Sequence, residues 1–146
     1  MPAVHAFTST EIALVESSFR KLSRQADDAA ALFFARLFEF APVLRAVSRT
    51  DLPTQRREFI RLLGTIVHRL DCYEVLRDHL RDAAEDHPDF FGREAHHHAI
   101  GAAFFWMLEQ VLGGEFTPAV YAAWMTVFHA LSEDVRNATR DLALAS

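Results

Sequence analysis

Apolar residues along this chain recur at the three-to-four-residue spacing of amphipathic helices, without the alternation of strands. Thr8 and Glu11 have the spacing of a capping box, so a first helix is expected to run to about Arg24, with Ile12, Val15, Phe19 and Leu22 on one face. A second spans about Asp27 to Phe40. Its apolar side is Leu32, Phe33, Leu37 and Phe40, and Pro42 ends it. Pro42 to Val47 has room for one short helical turn. Asp51 is placed to cap a helix over about Pro53–Leu70, whose buried stripe is Phe59, Leu62, Leu63, Ile66 and Leu70. Tyr73 to His87 is more polar, with a weak apolar face of Val75, Leu76, Leu80, Ala83 and Ala84. Arg93 to Leu112 is strongly apolar and belongs at the centre of the core. Gly113-Gly114 stops it, Thr117 caps the next helix and Pro118 starts it. That last helix continues to about Leu142 through Val120, Trp124, Val127, Phe128, Leu131 and Val135.

With no repeats and no low-complexity linker, the pattern predicts a single all-α domain over residues 1–146. Phe is abundant at thirteen residues, against two Tyr and two Trp, which suits packing against a large apolar ligand or simply a Phe-rich core. Net charge is −5 and the basic residues are scattered, so the footprint of a nucleic-acid partner is absent. The longest apolar run, Ala99 to Leu108, is too short to span a membrane. No export signal is visible at the N-terminus. Cys72 is the only cysteine, which excludes an internal disulfide and any CxxC metal site and favours a cytoplasmic setting.

His87 is the residue with the most chemical promise. It closes one helical segment, and the next carries His97, Ile100, Gly101, Phe104 and Phe105 on its inward face. That interval suits an imidazole held over a flat cofactor, and an imidazole is a good axial ligand for haem iron. His96, His97 and His98 point about 100° apart on a helix and cannot converge on one ion, with His96 and His98 expected on the flanks.

Several stretches, in order and at matching separations, resemble the single-domain bacterial haemoglobins, relatives of the globin part of flavohaemoglobins. Leu32-Phe33-Phe34-Ala35-Arg36-Leu37-Phe38-Glu39, then Pro42 and Leu44-Arg45, is similar to the family's second helix and the turn after it. Asp51, Gln55 and Phe59 resemble the start of its distal helix. Val111-Leu112-Gly113, followed after ten residues by Trp124, resembles the approach to its final helix. The resemblance implies a globin fold, a helical sandwich around a haem pocket with a short or absent fourth helix. It implies haem b (iron protoporphyrin IX), with His87 as the proximal iron ligand. Gln55 and Phe59 would face the other side of the ring, where the Gln55 amide can donate to bound dioxygen. Phe34 stands where many relatives have a Tyr, Ser48 where globins carry a Phe wedged against the haem, and His97 and Thr139 where relatives have a proximal Tyr and Glu. Ile100 and Phe104 would pack near the ring. With Ser48 in that place, Phe40 or Phe38 could approach the haem instead.

The function implied is reversible binding of oxygen or another diatomic gas (carbon monoxide, nitric oxide) for transport, storage or sensing. An enzymatic alternative, nitric oxide dioxygenation or a peroxidase-like activity, would need an external reductase, since no flavin- or nicotinamide-binding segment is visible. A haem-free sensor or interaction module is the other alternative, motivated by Ser48 and by Pro88 directly after His87. Six-coordinate iron would need His68 or His97 to be recruited. Both a monomer and a homodimer are compatible with the sequence.

Overall fold

A computed structural model describes residues 7–47, 51–86 and 94–145, and every described element is helical. The helices are α1 (Ser9–Ser23), α2 (Ala26–Phe40), α3 (Val43–Val47), α4 (Leu52–His68), α5 (Tyr73–Asp86), α6 (Glu94–Leu112) and α7 (Pro118–Ala145), with a 3-10 turn over Gly113–Glu115. Their starts follow local chemistry. Thr8 and Glu11 exchange backbone-to-side-chain hydrogen bonds of 2.9 and 3.1 Å, satisfying two amides that a helix leaves free. The Asp51 carboxylate accepts from the Thr54 amide at 3.2 Å, and the Thr117 hydroxyl from the Val120 amide at 3.3 Å. Gly113 ends α6 with φ +54°, in the left-handed region that glycine enters without steric cost.

Two ends differ from expectation. α4 stops at His68 rather than Leu70, and α7 runs on to Ala145. Two side chains assigned to the core also lie outside it. Phe40 is 47% exposed, because its position at the last turn of α2 carries it past the packed face, and the Arg36 guanidinium covers its ring at 5.1 Å. Val75 is 43% exposed beside Leu76, which with Leu80 makes the true buried stripe of α5.

The core is one apolar cluster to which all the long helices contribute. α6 packs on α2 and α1, α5 lies along α7, and α4 crosses both α1 and α2. Because α6 is enclosed on several sides, it is apolar around most of its circumference, as its sequence anticipates. The same enclosure buries both His96 and His97, whereas only His98 stays exposed, which corrects the expectation that His96 lies on a flank. Gly101 faces α7 closely: a Cβ there would meet the Phe128 ring at 2.8 Å. No described helix is long and apolar enough to cross a membrane.

Candidate functional site: an aromatic pocket wall with a buried amide

The expected distal side is built from α2 and α4. Asp51 starts α4, and its backbone carbonyl accepts from the Gln55 amide N–H at 3.0 Å, so Gln55 sits in the first helical turn. Hydrogen bonds from Thr54 hold the Asp51 carboxyl below its ordinary value, since they favour the charged form. One turn further on, Phe59 shares a face with Gln55. Its ring stacks on Phe33 with centroids 4.2 Å apart and meets the edge of Phe34 at 5.7 Å. Phe38 extends the group, 5.8 Å from Phe34.

Phe34 and Phe59 are therefore brought together, with Gln55 one helical turn before Phe59 on α4. Gln55 is only 8% exposed, and its Oε1 is fully buried without a hydrogen-bond partner. An amide oxygen taken from water and given no donor costs about 1–3 kcal/mol. The Gln55 amide oxygen is therefore a candidate polar contact for a ligand.

The residues expected on the other side lie on α6, backed by α7. Ile100 and Phe104 lie on one face of α6, the first half-buried and the second buried. Phe104 meets the Trp124 ring at 5.3 Å and Phe128 at 6.4 Å. Trp124 is anchored in turn: its indole N–H donates to Ser18 Oγ at 2.8 Å, and the Ser18 hydroxyl donates to the Leu14 carbonyl at 2.8 Å. His97 is buried near the start of the same helix.

α5, whose last residue Asp86 directly precedes His87, is clasped to α7. The Tyr73 hydroxyl donates to Asp134, and Arg77 lies 3.9 Å from the same carboxylate and over the Tyr73 ring. Burial, and then the bond to Asp134 and its charge, push the Tyr73 phenol well above its ordinary value of 10.0. His87, Pro88 and Ser48 lie outside the described residues, as does the side chain of Thr139.

Sequence reasoning placed Phe33 in the core and not in the site. The adjacent pair Phe33-Phe34 was the available signal: on a helix crossed by α4, both rings can reach Phe59. Of the two Phe residues offered as replacements at Ser48, Phe38 is buried and Phe40 is turned outward. His68, the one histidine of α4, is exposed, with its Nδ1 2.7 Å from the Gly64 carbonyl oxygen of its own helix. Among the described residues no group of three or more His, Cys, Asp or Glu side chains is arranged to hold a metal ion.

A search against protein-family profiles finds no match. Among solved structures the chain is similar to a hexacoordinated heme protein from an anhydrobiotic tardigrade. The TM-score is 0.78 and the identity 17%, over 92% of this chain and 96% of that one. That likeness defines the fold: the chain has the globin architecture.

Proposed function

We infer that this protein is a haem-binding globin, akin to the single-domain bacterial haemoglobins, that reversibly binds a diatomic gas. The observation that carries this is the buried Gln55 side chain, whose Oε1 has no hydrogen-bond partner among the described residues, one helical turn before Phe59 in a globin architecture. The residues fit the group. A flat apolar macrocycle needs apolar walls, which Phe34, Phe59, Ile100 and Phe104 offer, and a polar distal contact, which Gln55 offers. Haem b is the form that suits the chain, because attachment through a CxxCH motif needs two cysteines and Cys72 is alone. A lone cysteine also suits a reducing, cytoplasmic setting.

When bound, haem would supply an iron able to bind a gas, and His87 would hold that iron. The clasp of Tyr73, Arg77 and Asp134 fixes α5 against α7 and so sets where the segment carrying His87 begins. His97, where relatives have a Tyr, would meet a propionate or His87 itself. On the distal side Gln55 can present either end of its amide: its NH2 donates to a polar bound gas and its carbonyl accepts. Phe34 and Phe59 exclude water. His68 Nδ1 lies against the Gly64 carbonyl of its own helix, which favours Gln55 over His68 as the distal contact.

The test is an absorption spectrum of the full chain with haemin, then reduced, then exposed to carbon monoxide. A Soret band that shifts with carbon monoxide and is lost in His87→Ala is the expected result. Failure to take up haemin refutes the proposal.

A further inference from the structure

Beside the clasp of Tyr73 and Asp134 lies a cleft of about 200 Å³, lined by Arg77 and Arg81 of α5 and by Asp134, Asn137 and Ala138 of α7. Arg77 and Arg81 are one helical turn apart, so both guanidiniums rise from one face of α5. Asp134, Asn137 and Ala138 share a face of α7 in the same way. Ala138 is buried and contributes only a methyl group, which leaves room above it.

Size and charge restrict what can enter. Pockets for drug-sized molecules run to about 300–1,000 Å³, so the guest here is smaller. Two guanidiniums against one carboxylate give the lining a net positive charge, so the guest is an anion. Like charges one turn apart on a helix repel, and an anion between Arg77 and Arg81 relieves that repulsion. A guanidinium carries five N–H donors, so Arg77 can serve both Asp134 and a bound anion. The Asn137 side-chain amide adds a neutral donor from the opposite helix.

Asp134 narrows the class of anion. Its carboxylate is 21% exposed, accepts from the Tyr73 hydroxyl and faces Arg77 Nε at 3.9 Å. An ionised carboxylate only accepts, so it repels an anion without hydrogen and welcomes one that still carries an O–H. Sulfate has no such hydrogen at neutral pH, and a phosphate monoester loses its own at a pKa of about 6. Inorganic phosphate keeps one as hydrogen phosphate.

We propose that the cleft between α5 and α7 binds inorganic hydrogen phosphate. Arg77, Arg81 and Asn137 donate to its charged oxygens, and its remaining O–H donates to Asp134. None of these side chains is among those expected to touch haem, so phosphate binding does not depend on the haem reading.

The test is calorimetric titration of the full chain at pH 8 with sodium phosphate, sodium sulfate or methyl phosphate, ionic strength being held constant with chloride. Phosphate should bind saturably at one site, and sulfate and methyl phosphate at least tenfold more weakly. Phosphate about a hundredfold above its Kd should also raise the melting point by about 8 °C. Arg81→Gln changes an exposed residue and should weaken phosphate binding about tenfold or more, the worth of one charge-assisted hydrogen bond. Asp134→Asn still accepts from Tyr73 but no longer repels sulfate, so the gap between phosphate and sulfate should close. The proposal is overturned if sulfate matches phosphate on the wild-type chain, or if Arg81→Gln binds phosphate like wild type. A melting point that climbs with phosphate and sulfate alike, without saturation, also overturns it, since exclusion of such salts from the surface stabilises any protein.

Discussion

Ser18→Ala should destabilise this protein out of proportion to the single oxygen it removes. Ser18 is 4% exposed and Trp124 2% exposed, and the 2.8 Å bond between them ties α1 to α7. The alanine variant leaves the indole N–H buried with no acceptor, at a cost of about 1–3 kcal/mol. Alanine recovers about 0.5 kcal/mol of helix propensity. The Leu14 and Val15 carbonyls lose only a second hydrogen bond, since the helix ladder already serves them. The net loss is then about 0.5–2.5 kcal/mol. With roughly 2.1 cal/mol/K of unfolding entropy per residue, a chain of this size loses about 3 °C for each kcal/mol, so the melting point should drop by about 2–8 °C. Thermal denaturation by circular dichroism measures this, and a double-mutant cycle with Trp124→Phe isolates the bond. Coupling of roughly 1 kcal/mol is expected, because the phenyl ring has no N–H to strand. Equal penalties for Ser18→Ala in both backgrounds would show that the hydrogen bond is not what holds α1 to α7. Trp124 also backs Phe104 at 5.3 Å, so on the haem-binding reading proposed above haemin retention should weaken along with stability.

Tyr73→Phe removes the donor to Asp134 and should lower the melting point at neutral pH. Because the folded phenol is raised above its ordinary value, the bond's contribution is complete below about pH 10 and fades as pH rises toward the folded value. Urea titrations should therefore show wild type and variant converging only in strong alkali, and a constant gap between them refutes the assignment. Asp51→Ala should loosen the first turn of α4 at neutral pH, read as faster amide exchange at Thr54. Since the folded Asp51 carboxyl is depressed, that contribution is present above the ordinary carboxylate value and is lost as pH falls through the folded one. Asp51→Asn, which caps without a charge, should restore much of the protection. Gly101→Val should cost about 1–3 kcal/mol through overpacking against Phe128, measured by denaturant unfolding, and Phe128→Leu should relieve it.

The helix pattern was legible because each boundary rests on local chemistry: Thr8 with Glu11, Asp51, Thr117 with Pro118, and Gly113. Burial within helices was less so. Periodicity alone cannot tell whether Phe40 or Phe38 turns inward, because that depends on where α2 ends relative to its neighbours. Nor could it show that His96 is buried, since α6 is enclosed by helices distant in sequence. The Ser18–Trp124 bond joins residues 106 positions apart and had no local signal at all.

For the candidate site, residue types were legible and their satisfaction was not. The sequence places a glutamine one turn before Phe59, and Phe34 carries no hydroxyl. Those facts suggest a distal pocket with reduced polarity, and by themselves they favour no ligand. The structure adds that Phe33, Phe34 and Phe59 pack on one another and that, among the described residues, no group donates to the buried Gln55 amide oxygen. A buried acceptor is a stronger statement about ligand chemistry than an apolar wall, because apolar walls tolerate many guests and an unpaired oxygen favours those that bring a proton.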